Sequence, residues 1–328
     1  MKALRTVGAI VLLGGAAGWA VWRAESPYQG FSGDAFVDFP RGTSTGAIAD
    51  KLAEAGVVRS RWDFLIARLL HRGHILQAGE YRFYRPASAA EVAGRIARGD
   101  IFYYELVIPE GRNMFDIAAA AEEIGLFKAE DFLKAARDPA MIRDLDPRAP
   151  TLEGYLFPNT YKLGRSTTPE RLCRIMTGKF REEWKTLHST EDVHETITLA
   201  SMVEKEGKLP EERPRIAAVF RNRLDLGMKL DCDPTTIYAA LLQHHYDGVI
   251  HKSNLASDHP YNTYRHAGLP PGPIANPGLA SIRAALSPAQ IDALYFVARA
   301  DGSGGHEFTN NLTAHGNAVG RYRRAVHR

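Results

Sequence analysis

Cysteine is scarce in this chain: Cys173 and Cys232 are the only two in 328 residues. Two cysteines make no disulfide framework and no CxxC metal knuckle, and one bridge or two buried free thiols both stay open. A surplus of either charge is missing too. Lys and Arg total 41 against 38 Asp and Glu, a formal net charge of +3, and no basic run carries interleaved aromatics. Nucleic acid is therefore not expected as a partner. Histidines are frequent, at His244, His245, His251, His259, His266 and His306, yet none falls in an HExxH pattern, and the His194-Glu195 pair lacks a second histidine at the right spacing. No G-x-S-x-G elbow, P-loop or GxGxxG is present, and Gly302-Ser303-Gly304 is a loop tripeptide. Neither a metal nor an organic cofactor is implied.

One long uncharged run exists, Val7 to Trp22, preceded by Lys2 and Arg5 and closed by Arg23. Sixteen residues span about 24 Å as a helix, short of the ~30 Å hydrocarbon core, with Thr6 and snorkelling Arg5 and Arg23 expected to cover the difference. Trp19 and Trp22 suit a membrane interface better than a cleaved signal peptide. The reading is an uncleaved inner-membrane anchor, N-terminus in the cytoplasm and the rest outside, followed by a tether over residues 24–33.

Length allows two compact domains. From Ala35 the chain reads strand, Pro-x-Gly turn, helix, glycine stop, second helix, and the pattern returns 69 residues later. Pro40-Arg41-Gly42 matches Pro109-Glu110-Gly111, Ile48-Ala49 matches Ile117-Ala118, and Gly56 matches Gly125. The first copy runs on into the alternating strand Gly79 to Arg85 and a helix capped by Ser88. Neither copy clusters acids or histidines, so these modules bind or position. From Thr151 onward the loops crowd with Pro, Gly, Asn and Tyr, which chains keep ordered mostly where they build a site. The expected fold class is α+β, with segments 1–28, 29–104, 105–150 and 151–328, the last catalytic.

The most informative helix is "LASMVEKEG", Leu199 to Gly207. It is apolar nearly all round from Ile197 to Val203, so both Glu204 and Glu206 are drawn toward apolar surroundings. Burial raises a carboxyl's pKa and suits a proton donor. The competing role is an ion pair with an arginine such as Arg213, Arg215 or Arg221. Periodicity does not choose between the two acids, although Glu206, beside Gly207, stands nearer solvent, which favours Glu204 as the enclosed one. They diverge by about 200° around the helix and cannot flank one glycosidic bond. A single-acid mechanism needs the substrate to supply the second group. Amide, hydroxyl and aromatic side chains in the loops suit a polyhydroxylated, acetamido-bearing ligand.

Five motifs, "LEGYLFPNTY", "ASMVEKEG", "DPTTIY", "YNTYRHAGLPPGPIANPG" and "GGHEFTNNLTAH", together resemble the YceG-like endolytic murein transglycosylases. The resemblance implies a single-pass inner-membrane protein with a LysM-like module at 29–104. It implies cleavage of the MurNAc–GlcNAc β-1,4 bond in nascent peptidoglycan by attack of the muramyl 6-hydroxyl, leaving 1,6-anhydroMurNAc ends. Wall-synthesis enzymes are the implied partners. The family's acid falls on Glu204. Tyr261, Asn262, Thr263, Gly268, Leu269 and Pro270 are expected to line the sugar cleft, with Asn276, Thr309, Asn311, Glu153 and Tyr155 near by. Gly207 departs from the threonine many members carry. A non-catalytic peptidoglycan binder and a hydrolase giving reducing ends are the alternatives.

Overall fold

The computed structural model describes residues 2–70 and 75–326, with the side chains of 2–11 and 13 outside the description. The chain divides into two compact units, Met1–Tyr104 and Glu105–Arg328. The fold is α+β.

The first unit holds α1 (Lys2–Glu25), β1 (Ala35–Phe39), α2 (Thr45–Glu54), α3 (Arg61–Leu70), β2 (Gly79–Phe83) and α4 (Ala89–Arg98). β1 and β2 pair antiparallel, Ala35 opposite Phe83 and Phe39 opposite Gly79. Val37, Phe39, Tyr81 and Phe83 alternate onto one face and meet Leu52, Phe64, Val92 and Ile96 from the helices, the period-2 pattern of a half-buried sheet. Ser88 and Glu91 close a capping box on α4, and Gly99 ends it at φ +73°, as a left-handed C-cap does.

The expected membrane anchor is not found among the described residues. Much of the expected span, 7–11 and 13, lies outside the described side chains, and among the described residues no helix is long and apolar enough to cross a membrane. The end of α1 does something else. Ala24 is fully buried in the unit's core, and Arg23, expected as a snorkelling flank, bonds Asp63 of α3 at 2.8 Å. The expected tether is not loose either, because Tyr28 pairs its backbone with Ala87. A buried partner for the arginine and an apolar seat for Ala24 outweigh the exposure a tether needs.

The second unit begins at β3 (Tyr104–Ile108), whose first residue closes the other unit. It continues through α5 (Met114–Glu123), α6 (Ala129–Ala136), β4 (Asn159–Leu163), α7 (Pro169–Thr186), α8 (Val193–Glu206), α9 (Arg213–Asp225), α10 (Asp233–Leu242), α11 (Lys252–Ala256), α12 (Leu279–Leu286), β5 (Tyr295–Ala298), β6 (His306–Thr309) and α13 (Leu312–Val326). β3 pairs with β4 and β5 with β6. The repeat reappears in three dimensions: the strands start at 35 and 104 and the first helices at 45 and 114, an offset of 69 in both. The caps Ser44 and Asn113 correspond. Gly42 and Gly111 share φ values of +85° and +77°, and Gly56 and Gly125 share +67° and +74°, conformations cheap only for glycine. At the unit's centre α8 packs on α12 and α9, and every residue from Thr196 to Val203 is buried.

Candidate active site at the end of helix α8

Asp192 caps the start of α8 by accepting from the Glu195 N–H at 2.9 Å, and Gly207 ends it. A Cβ on Gly207 would lie 2.8 Å from Arg213 Cγ, so the glycine lets Arg213 run across the helix end. The guanidinium then donates to Glu204 Oε1 at 3.0 Å. Glu204 Oε2 accepts from the Gly278 N–H, also at 3.0 Å, at the N-cap of α12. The side chain is 5 % exposed. Gly111 in the second copy's turn closes over it, since a Cβ there would stand 3.3 Å from Glu204 Cγ. Glu204 is thus clamped, both oxygens facing donors inside the protein.

Glu206 leaves the helix on the other side. As expected it stands nearer solvent than Glu204: it is half-buried at the edge of a cleft and accepts a weak bond from the Cys232 Sγ–H at 3.4 Å. Burial pushes its carboxyl above the usual range, with the Asp233 carboxylate adding to the rise and the thiol opposing it. Glu206 edges a cleft of about 370 Å³ that also takes in Arg223, Asp231, Asp233, Tyr264, Tyr295 and His315. Two other carboxylates there are engaged: Asp231 with Arg223 at 3.1 Å, and Asp233 with the Tyr264 hydroxyl at 2.7 Å. Cys232 and Cys173 are both buried free thiols, and burial raises each well above the ordinary thiol range.

A family model described as YceG-like covers residues 37–321. An endolytic murein transglycosylase of Bacillus subtilis is 33% identical over 307 residues, 87% of this chain and 84% of that protein. One of Streptococcus pneumoniae serotype 2 is 32% identical over 297 residues, 80% of this chain and 54% of the longer relative. The crystal structure of a YceG-like protein from Listeria monocytogenes matches at 31% identity with a TM-score of 0.55, covering 88% of this chain and 99% of that one. This chain belongs to the YceG-like family.

In this YceG-like protein many of the sequence-expected cleft residues lie in the interior. Asn276 is wholly buried: its carbonyl accepts from the N–H groups of Gly154 and Leu156, and its amide donates to the Arg112 carbonyl and to Glu153 Oε1. Glu153, fully buried, also accepts from the Met114 N–H at 2.9 Å, and desolvation pushes its carboxyl up to about 8. Together they fix the turn after β3 and the loop ending in Gly278. Asn262 donates to the carbonyls of Asn254, Leu255 and Ser257. Thr263 accepts from the Cys232 N–H at 3.0 Å and so seats the thiol facing Glu206. Tyr261 is buried with its ring centre 5.1 Å from that of Tyr238, and Pro270 is buried behind the left-handed Gly268 (φ +90°) and half-buried Leu269.

Tyr155 is also interior, donating its hydroxyl to Asp146, which meets His194 Nδ1 at 2.7 Å. Asn311 is exposed and caps α13 through the Ala314 N–H, while Thr309 ends β6 opposite Tyr295. Asn-, Thr- and Tyr-rich loops read as sugar contacts are here mainly the means by which long loops satisfy buried backbone groups. The cleft residues that sequence reasoning passed over, Tyr264, Asp233 and His315, sit inside motifs it had singled out. The only available signal was their motif membership.

Proposed function

We propose that this chain is an endolytic peptidoglycan lytic transglycosylase and that Glu204 is its acid. The observation that carries the assignment is the held carboxyl at the end of α8: Arg213 donates to one Glu204 oxygen and the Gly278 N–H to the other, both at 3.0 Å, which fixes its orientation. Each oxygen accepts one protein hydrogen bond and keeps a second lone pair for a sugar. Glu206, on the other side of the helix, accepts from the Cys232 thiol, is raised by burial and edges the 370 Å³ cleft, which makes it the second reading. The two acids diverge around the helix, so one acid serves the bond and the substrate supplies the nucleophile. The relatives' naming as endolytic murein transglycosylases supports the same chemistry.

In this reading Glu204 protonates the glycosidic oxygen of a MurNAc–GlcNAc β-1,4 bond, and its carboxylate then takes the proton of the muramyl 6-hydroxyl as that oxygen closes on the anomeric carbon. A 1,6-anhydroMurNAc end is left and elongation of the nascent strand stops. The enzyme then works outside the cytoplasmic membrane, where peptidoglycan is built, beside the synthases that supply the strand. The first unit, with no acid or histidine cluster among its described residues and built on the strand–helix–helix–strand plan, holds glycan as a LysM-like module.

The test is digestion of purified glycan strands by the wild-type chain, Glu204→Gln and Glu206→Gln, with mass analysis of the new ends. Anhydro ends from wild type and Glu206→Gln, and none from Glu204→Gln, are expected. An inert Glu206→Gln beside an active Glu204→Gln moves the acid's role to Glu206. Reducing ends make the protein a hydrolase, and intact strands throughout make it a binder.

A further inference from the structure

The turn over the acid carries a carboxylate that the reading above does not use. Glu110, in Pro109-Glu110-Gly111, lies 3.5 Å from Arg213 Nη1, while Nη2 of the same guanidinium donates to Glu204 Oε1 at 3.0 Å. One arginine therefore faces two carboxylates. It is largely buried, its side chain 10 % exposed against 48 % for Glu110. The Glu110 carboxyl also lies against Gly278, whose N–H holds the other Glu204 oxygen. A Cβ on Gly278 would stand 1.9 Å from Glu110 Oε1, and the three atoms nearest to it all belong to Glu110. The turn is tied on both sides: the Gly111 N–H donates to the Asn276 carbonyl at 2.9 Å, and the Lys205 ammonium donates to the Gly111 carbonyl at 3.3 Å. An exposed ion pair at this distance adds little to stability, so stability does not explain why Glu110 stands beside the acid.

A guanidinium that faces one carboxylate alone favours the ionised form of that group, and a buried guanidinium left without an anion is costly. Glu204 must nevertheless carry a proton before it can give one to the glycosidic oxygen. Resting on the transglycosylase reading, we propose that Glu110 is a positioning residue, which takes over the Arg213 guanidinium while Glu204 holds its proton. With Glu204 protonated, Arg213 and Glu110 cancel each other's charge. As the glycosidic bond breaks, its electron pair stays with the departing oxygen, which takes the Glu204 proton, and Arg213 turns to the new carboxylate. That carboxylate accepts the proton of the 6-hydroxyl as the hydroxyl oxygen closes on the anomeric carbon, and Arg213 returns to Glu110. Glu204 remains both giver and taker of the proton, and Glu110 acts on it only through the arginine.

The experiment measures kcat and KM on purified glycan strands, and Tm, for the full chain, Glu110→Gln, Gly278→Ala and the two combined. Gly278 has φ −77° and ψ 168°, angles open to alanine, so Gly278→Ala displaces the Glu110 carboxyl and keeps the N–H that holds Glu204. A misplacement of about 1 Å at a reacting centre costs about 10²-fold. Each single variant is expected to lose at least about tenfold in kcat, with KM within about threefold and Tm within about 2 °C of wild type. The double variant should be no slower than Glu110→Gln, because both changes remove one interaction. An active wild type with Glu110→Gln equally fast, weakened in KM alone, or slowed only with a lowered Tm overturns the proposal, as does an additive loss in the double variant. Those results leave the transglycosylase reading standing. A wild-type chain that cuts no strand, or an active Glu204→Gln, overturns that reading and the proposal with it.

Discussion

Asn276 is the place where the site's scaffold is most exposed to a single change. In Asn276→Ala the Gly154 and Leu156 N–H groups, 2.8 and 2.9 Å from the lost carbonyl, and Glu153 Oε1, 2.7 Å from the lost amide, keep their burial and lose this partner. The Arg112 carbonyl is spared because the backbone N–H of residue 276 still reaches it at 3.0 Å. Each orphaned buried group costs about 1–3 kcal/mol, so three give about 3–9 kcal/mol, and local relaxation holds the figure near 4 kcal/mol. For a unit of this size each kcal/mol moves the midpoint by about 2–4 °C, so Tm should drop by roughly 10 °C. Calorimetry of wild type and variant side by side reads it. Asn276→Asp keeps the acceptor for both N–H groups but sets a carboxylate against Glu153, and it should recover stability as pH falls from 8 to 5. A loss under about 1 kcal/mol for Asn276→Ala would refute the claim that these bonds hold the 276–278 loop.

Glu153 ties stability to pH: its folded carboxyl titrates near 8 against 4.5 ordinarily, so the folded protein keeps a proton the unfolded chain releases. The group's contribution is complete below about pH 4.5 and is lost as pH climbs to about 8. Urea melts at pH 5 and pH 8 should show that decline in wild type and a flatter dependence in Glu153→Gln; parallel slopes would sink the assignment. Gly154 has φ +88°, and a Cβ there would meet Pro273 Cγ at 2.4 Å and Ile197 Cγ2 at 2.9 Å. Gly154→Ala should cost about 2–5 kcal/mol by thermal melt. Arg213→Met strands the enclosed Glu204 and should cost about 3–5 kcal/mol. Adding Glu204→Gln should return part of that, whereas simple additivity in the double-mutant cycle would show that the pair is not coupled.

The sequence alone determined the α+β class, the apolar character of α8, and the repeated strand–turn–helix–helix plan. These rest on local physics: alternation in β1 and β2, capping by Ser44, Ser88 and Asn113, and left-handed glycines at 42 and 111 that a neighbour's side chain scarcely alters. The five motifs carried the family resemblance before any contact was known. Other features were decided only when distant segments met. Periodicity sets Glu204 and Glu206 on opposite sides of their own helix, but it is silent on what α9, α12 and the loop at Cys232 bring to each side. Arg213 and the Gly278 N–H arrive at one acid, a buried thiol and an open cleft at the other. Likewise the uncharged N-terminal run reads as a span from composition, while Asp63 and the pocket for Ala24 engage the two residues that follow it. His315 gained its place only when α13 folded back on β5 and set the ring on Tyr295. A helix face is written in its own residues, whereas a site depends on charges and cavities supplied from tens to a hundred or more residues away.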